Sequence, residues 1–291
     1  MYHVDIMTVF SARVLFLSVI FGIGALAFLQ VGSVPAGSEY LSVRFLDVGQ
    51  GDAIHIVTPD GYEMLIDGGP TALVLRELAQ GRGFFDSTID VVLATHPDSD
   101  HIGGLVDVLE RYQVATIIQT NNENDTPAAS AYDSAVENEQ AEVVLAQAGQ
   151  NIQLGASTTI AVFAPNGDTS NWQPNAASVI VKVSYDEIDF LLTGDAYMQT
   201  EEYLVERYGT SLQSEVLKLG HHGSQTSSSE LFLETVQPQY AIVSAELNSR
   251  YGHPHAEVVE RVQERDIEIV STAEVGTIEF LTDGVTVWQK E

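Results

Sequence analysis

His96-Pro97-Asp98-Ser99-Asp100-His101 is the stretch on which the reading of the fold turns. It follows the apolar run 89–94 and leads into Ile102, Gly103, Gly104 and Leu105. Four of its six side chains can bind a metal. They lie at the end of a strand-like segment and just before a helix-like one, so they can converge on one point. The plainer alternative is an acidic turn with two incidental histidines. Against it, three later His/Asp clusters also fall at strand ends.

Upstream, residues 41–47, 53–57 and 63–66 read as strands, the first two joined through Gly49-Gln50-Gly51-Asp52 and the third ending at Asp67-Gly68-Gly69. A short helix is expected over 73–79, then a buried strand over 90–95 that delivers His96. Downstream, apolar residues at 102, 105, 106, 108 and 109 mark one face of a helix over 101–112. A strand over 114–118, a polar loop over 121–129 and a helix over 130–140 follow. Strands are expected over 143–145, 159–163, 178–184 and 188–192, the last closing at Thr193-Gly194-Asp195. A helix over 200–208 and a strand over 214–219 lead to Gly220-His221-His222-Gly223-Ser224. Adjacent histidines face opposite ways on a strand, but in a glycine-flanked turn one or both can point into a site. A helix over 229–236, a strand over 240–244, the loop Tyr251-Gly252-His253-Pro254-His255, a helix over 256–264 and three short strands complete the chain. Both halves combine strands with helices, which predicts an α/β fold of two packed sheets with helices outside, a four-layer αββα sandwich.

The 291 residues and 45% hydrophobic content support a substantial core. With 41 acidic against 12 basic side chains the formal charge is −29, a surface that repels polyanions at low salt. The chain has no cysteine, so disulfides and thiolate zinc sites are excluded and any metal is held by His, Asp or Glu. Residues 14–31 form an uncharged run of 18, about 27 Å as a helix, which predicts one N-terminal transmembrane helix, with a cleaved signal peptide as the competing reading. Arg13 before the run argues for a cytoplasmic amino terminus. The expected organisation is a membrane anchor or signal segment over 1–35 and a hydrolase domain over 36–291, single-pass in the cell membrane and extracytoplasmic, or secreted if the segment is cleaved.

His96, Asp98, Asp100, His101, Asp195, His221 and His222 stand out as candidate metal ligands. Such a set can hold two divalent ions, which acidify water and stabilise the oxyanion of an attacked phosphate or carbonyl. Hydrolysis is the natural chemistry.

These residues resemble the metallo-β-lactamase superfamily, whose signature is H-x-H-x-D-H, and in particular the extracytoplasmic hydrolase domain of ComEC-type competence proteins. The resemblance rests on Asp47-Val-Gly-Gln-Gly-Asp52, Ile66-Asp67-Gly68-Gly69, the variant His96-x-Asp98-x-Asp100-His101, Leu192-Thr-Gly-Asp195, Leu217-Lys-Leu-Gly-His221-His222-Gly-Ser224 and Tyr251-Gly-His253-Pro254. It implies that His96 and Asp98 bind one metal, that Asp100 and His101 bind a second, and that Asp195 bridges them. The His221-His222 pair would complete the second site, with His222 favoured, and Asp67 would orient a histidine ligand. Asp98 stands where the superfamily has histidine, and no histidine lies between residues 101 and 195. The oxygen-rich ligation points to Mn²⁺, with Zn²⁺ second.

Asp100, His222, Lys218 and His253 are the candidate catalytic residues. His253 matches the family pattern and is placed to donate to substrate, while His255 can simply begin a helix. Lys218 and Arg250 are placed to hold a phosphate, against the plainer reading of isolated surface cations. His55 reads as a packed core residue. The resemblance favours a membrane-anchored phosphodiesterase or nuclease acting on extracytoplasmic DNA, with DNA-uptake components as partners. Against DNA, residues 40–291 carry 39 acidic and 11 basic side chains, and no basic stripe is visible. The alternatives are hydrolysis of a small ester, such as a phosphorylcholine, nucleotide or lactone, and a non-catalytic metal-binding module of a DNA-uptake machine.

Overall fold

Alternating side chains on short strands leave two apolar faces per sheet, and the fold buries all four. In the computed structural model the chain divides into the units Met1–Ser38 and Glu39–Glu291, and the described residues are 38–80 and 86–290. The first sheet contains β1 (Leu41–Phe45), β2 (Ile54–Val57), β3 (Glu63–Ile66), β4 (Thr88–Leu93), β5 (Gln113–Gln119) and β6 (Glu142–Leu145). Helix α1 (Leu73–Leu78) precedes β4, α2 (Ser99–Arg111) joins β4 to β5, and α3 (Pro127–Asn138) joins β5 to β6. The second sheet contains β7 (Asn151–Leu154), β8 (Thr158–Ala164), β9 (Ile180–Tyr185), β10 (Ile188–Leu192), β11 (Val216–Lys218), β12 (Tyr240–Val243) and β13 (Glu268–Ser271). Its crossovers are α4 (Met198–Tyr208), α5 (Glu230–Val236) and α6 (Ala256–Gln263), and the short α7 (Thr272–Val275) follows β13. The last strands, β14 (Ile278–Thr282) and β15 (Val287–Gln289), return to the first sheet.

The strand orders are β15-β14-β1-β2-β3-β4-β5-β6 and β13-β12-β11-β10-β9-β8-β7. In each sheet an antiparallel portion adjoins a parallel one: β3 to β6 and β10 to β13 run parallel. Parallel neighbours need crossover connections, and here helices supply them, which puts one helical layer outside each sheet. On β4, Val91 and Leu93 face the other sheet together with Phe45, Phe190 and Phe280, while Val92 and Ala94 pack on Ile102, Leu105 and Val108 of α2. Leu191 and Leu217 do the same against Phe232, Leu233 and Val258 on the far side. Each such fully buried Leu, Val or Phe contributes about 1.5–3 kcal/mol by transfer alone. The expected αββα sandwich is present. The edge strand β7, whose four residues alternate only Asn-Ile-Gln-Leu, is an addition to the elements expected from sequence.

The expected transmembrane helix over residues 14–31 lies outside the described residues. Among those described, no helix is long and apolar enough to cross a membrane. The 13-residue α2 reaches only about 20 Å against the ~30 Å of a bilayer core, and it is amphipathic. On this finding the expected single-pass membrane topology, with its membrane partner, is corrected: the described residues supply no membrane-spanning helix. The physical reason is that an apolar run of 18 residues is at the short end of what spans a bilayer, so hydropathy alone was a thin warrant.

Candidate metal centre

The parallel strands of both sheets deliver their carboxyl ends to one edge of the sandwich, where α/β folds characteristically open a crevice. Asp67 follows β3, His96 follows β4, Asp195 follows β10, and His221 and His222 follow β11. Asp98 is the N-cap of α2, and Asp100 and His101 occupy that helix's first turn. The helix therefore begins two residues earlier than apolar spacing indicates, because polar ligand residues fill its first turn.

Backbone contacts clamp these loops together. Asp67 N–H donates to Leu93 O at 2.8 Å, Gly68 N–H to His101 O at 2.7 Å and Gly104 N–H to Gly69 O at 2.8 Å. The β1–β2 turn joins them: Asp52 N–H donates to Asp100 O at 3.2 Å, and its own carbonyl accepts from Gly69 N–H at 2.7 Å. Gly51 has φ +132°, and a Cβ there would sit 2.1 Å from Asp100 O, so this approach admits only glycine.

The hydrogen bonds also fix which nitrogen each imidazole presents. Thr95 Oγ1 donates its one proton to Asp67 Oδ2 at 2.7 Å, so at 3.0 Å it accepts from His96 Nδ1–H. His101 Nδ1–H donates to the same Asp67 oxygen at 2.7 Å, and His222 Nδ1–H donates to Ser244 O at 2.9 Å. All three rings thus aim a bare Nε2 inward. His96, His101 and His222 are buried, and each Nε2 lacks a hydrogen-bond partner, as does Asp195 Oδ1. Orphaned buried acceptors are costly, and several facing one another are what a cation would satisfy.

The carboxylates close the ring. Asp195 Oδ1 lies 3.3 Å from His101 Nε2 and its Oδ2 3.4 Å from His222 Nε2. Asp100 Oδ2 is 3.4 Å from His222 Nε2, and Asp98 Oδ2 is 3.6 Å from His96 Nε2. The ligand atoms of His96, His101 and Asp195 lie within 4.8 Å of one another, as do those of Asp100, His101 and His222, and those of Asp52, Asp195 and His222. This His/Asp cluster suits one or two metal ions, and its donor set fits a divalent cation.

The charges agree. Burial, the largest influence, disfavours charge on every group here, yet the Asp195 and Asp67 carboxylates raise the His101 imidazole well above its ordinary value. Asp195, with Asp100 and Asp52, raises His222 in the same way. Conversely, against burial, His222 and His101 hold the Asp195 carboxyl well below the usual range. Protonated imidazoles take the cation's place in an acidic site.

The remaining candidates are separated by geometry. His221 is half-buried; its Nδ1 pairs with Thr226 Oγ1 at 3.0 Å, and its Nε2 lies 3.8 Å from Asp195 Oδ2 and 3.4 Å from Asn175 Nδ2. It belongs to none of the clustered ligand groups, whereas His222 belongs to two. His253 packs its ring 5.4 Å from that of His221 and 6.0 Å from that of His222. Burial, then the charge of His222 and His221, pushes it down to about 4, so near neutral pH it is an uncharged imidazole rather than an acid. His255 begins α6, its Nδ1 accepting from Gln225 N–H at 3.0 Å. His55 is a core residue paired with Glu63 at 2.9 Å.

Lys218 is neither a surface cation nor free to hold a phosphate. It is fully buried and its Nζ lies 2.6 Å from Asp52 Oδ2, with a further hydrogen bond to Gly194 O at 3.3 Å. Arg250 is exposed and stacks over the Tyr251 ring at 4.6 Å. Asp52 is the site residue that sequence reasoning passed over. Its signal was that it closes the motif Asp47-Val-Gly-Gln-Gly-Asp52, to which no role was attached.

The metallo-beta-lactamase superfamily model matches residues 46–245, and the chain belongs to that superfamily. Among curated relatives it is 27% identical over 265 residues to ComE operon protein 3 of Bacillus subtilis, covering 84% of this chain and 34% of that protein. It is 28% identical over 278 residues to Recombination protein 2 of Haemophilus influenzae, covering 92% and 32%. The chain thus spans about a third of the length of these relatives. Among solved structures, Igni18, a metallo hydrolase from Ignicoccus hospitalis, superposes with TM-score 0.53 at 14% identity over 87% of this chain and 99% of that one. The metallo-beta-lactamase fold protein YhfI from Bacillus subtilis gives 0.52 at 12% identity over 79% and 95%. Both show the fold. The protein is a metal-dependent hydrolase related to ComEC-type competence proteins. The expected membrane-anchored nuclease is corrected to a metal-dependent hydrolase with no membrane-spanning helix among the described residues.

Proposed function

We propose that the protein hydrolyses a small ester, a phosphodiester foremost, with two divalent ions. His96 and Asp98 would hold one ion and Asp100, His101 and His222 the other; Asp195, which clusters with His96 and His101 in one group and with His222 in another, would bridge. Three imidazoles and three carboxylates make a mixed set with more oxygen than a histidine-only site, which would suit Mn²⁺ first and Zn²⁺ second. When bound, such ions acidify water and stabilise the charge developing on an attacked phosphoryl group. The chain's own residues supply orientation: Asp67 and Thr95 hold His101 and His96 by their Nδ1 atoms, and Ser244 O holds His222. Neutral His253 at the rim can donate an N–H to a phosphate oxygen without adding charge.

The observation that carries the substrate reading is the Lys218–Asp52 pair. A buried lysine spent on a carboxylate 2.6 Å away leaves the wall of the site acidic, which suits a compact ester and not a polyanion. The names of its relatives, among them Competence protein ComA of Neisseria gonorrhoeae and Recombination protein 2, favour one further reading, that the domain serves a DNA-uptake assembly.

The test loads the full chain with Mn²⁺ or Zn²⁺ and measures hydrolysis of bis(p-nitrophenyl) phosphate, a lactone and single-stranded DNA. Turnover of the small diester is expected. Asp195→Asn should lower it beyond the roughly 10–100-fold that loss of an outer partner costs. Cleavage of DNA with no turnover of the small diester would overturn the reading.

A further inference from the structure

Lys218 ends β11, and strand alternation keeps its side chain between the two sheets, on the side of Val216 in the inter-sheet core and opposite Leu217, which faces the helices. It is fully buried. Three oxygens lie close to its Nζ: Asp52 Oδ2 at 2.6 Å, Gly194 O at 3.3 Å and Asp195 Oδ1 at 4.0 Å. The first comes from the β1–β2 turn of one sheet, the other two from the end of β10 in the other. Two carboxylates and a backbone carbonyl are the donor set of a hard cation.

The carboxylates beside the ammonium also carry unspent oxygens. Asp52 is 1% exposed, and its Oδ1 makes no hydrogen bond. That oxygen faces His222 Nδ1 at 3.5 Å, whose proton goes to Ser244 O. Asp195 Oδ1 is likewise unpartnered. Because ligand atoms of Asp52, Asp195 and His222 cluster within 4.8 Å, Asp52 has the placement of a metal ligand, and the ammonium holds it out of that role. Charge balance agrees. Five carboxylates gather here, those of Asp52, Asp67, Asp98, Asp100 and Asp195; two divalent ions would leave one negative charge, and Lys218 cancels it. An uncompensated buried carboxylate is costly, and a centre left negative would repel a phosphodiester anion.

We propose that the Lys218 ammonium is a tethered monovalent cation: it fills a third cation position of the centre, beside Asp52, Gly194 O and Asp195, that a potassium-sized ion would take in its absence. The proposal deepens the two-ion hydrolase reading and rests on it for the charge count. Lys218 limits the centre to two exchangeable ions, keeps Asp52 off them, and makes the loaded site neutral toward an anionic ester. Unlike the divalent pair, it cannot be lost to dilution or a chelator.

Lys218→Ala removes the charge and leaves room for an ion with its water. The test dialyses the full chain, saturated with Mn²⁺ in tetramethylammonium nitrate, against thallium(I), which stands in for potassium and can be counted by mass spectrometry. Lys218→Ala should hold one thallium ion per chain that the wild type lacks, and Asp52→Asn/Lys218→Ala should hold no more than the wild type. Replacing tetramethylammonium by potassium at equal ionic strength should raise the melting temperature of Lys218→Ala by about 4 °C or more, with the wild type and the double variant unmoved. If Lys218→Ala is unfolded in tetramethylammonium, potassium should restore its circular dichroism. Equal thallium in the three chains, or no selective effect of potassium on Lys218→Ala, would overturn the proposal. Failure of the wild type to take up Mn²⁺ would count against the hydrolase reading instead, and the same thallium and potassium comparisons made in chelator would then decide the cation position.

Discussion

Asp67 and the two adjacent histidines hold backbone that their residue types rarely adopt: φ is 57° at Asp67, 49° at His221 and 55° at His222. Each left-handed non-glycine residue costs about 1–3 kcal/mol, and such residues cluster where a side chain must be aimed rather than packed. For Asp67 the return is clear, since one carboxylate accepts from Thr95 N–H, Thr95 O–H and His101 Nδ1–H. Asp67→Asn keeps the shape but replaces an acceptor oxygen by a donor, so His101 loses its orienting partner. Metal affinity, measured by competition with a chromogenic chelator, should fall about 10–100-fold with the fold retained by circular dichroism. The Asp52–Lys218 pair is a different case, because both charges are buried. Lys218→Met strands the Asp52 carboxylate and should cost about 3–5 kcal/mol in urea unfolding, whereas Asp52→Asn together with Lys218→Met should recover most of that loss. Equal losses in the single and double variants would show that packing, not charge, is what the lysine provides. Neither residue could be assigned this role from sequence, because only the fold brings the β1–β2 turn against β11.

At the scale of elements, the site depends on how closely the β3 loop approaches α2. A Cβ on Gly104 would sit 2.1 Å from Gly68 O and 2.5 Å from Thr71 O, both backbone atoms that cannot rotate away. Gly104→Ala should therefore cost about 1–3 kcal/mol of overpacking in chemical denaturation. Because α2 carries Asp100 and His101, bound metal measured by mass spectrometry should drop in the same variant. Unchanged metal content would mean that α2 can shift without moving its first turn. The β4–loop–α2 unit was legible because a continuous apolar strand, a ligand-rich turn and a helical apolar stripe follow one another without overlap. The layers were legible for the same reason. Other features were not, among them the first turn of α3, which begins at Pro127 within the expected loop, and the short α7. The start of α2 was hidden because its first turn is spent on ligands. Strand β7 was hidden because four alternating residues at a sheet edge resemble a loop. The membrane reading was drawn from the apolar run over 14–31, which lies outside the described residues, and no membrane-spanning helix occurs among those described.

The whole molecule carries a formal charge of −29, and the metal centre concentrates acid at one edge of it, so protons and divalent ions compete for the same place. In the metal-free protein His101 and His222 have raised values: burial, the largest single influence, lowers them, but the Asp195 carboxylate together with Asp67 at His101 and with Asp100 and Asp52 at His222 overcomes it. A raised imidazole contributes stability that is complete below its unfolded value of about 6.5 and is lost as pH climbs through its folded value. Asp195 and Asp100 are depressed. They contribute stability that is complete above the unfolded carboxyl value of about 4 and is lost as pH falls through the folded one. Metal-free protein should thus be most stable between about pH 4 and 6.5 and weaken above that. Metal reverses the upper limb, because it binds the neutral imidazoles and must displace their protons; its affinity rises with pH by up to about two protons' worth. Melting temperature measured from pH 6 to 8.5, with chelator and with saturating Mn²⁺, should fall in the first series and hold or rise in the second. The gap between the two should widen steadily with pH. A gap that stayed constant across the range would mean that the His101 and His222 protons are not displaced on binding, and these two rings could not then be ligands.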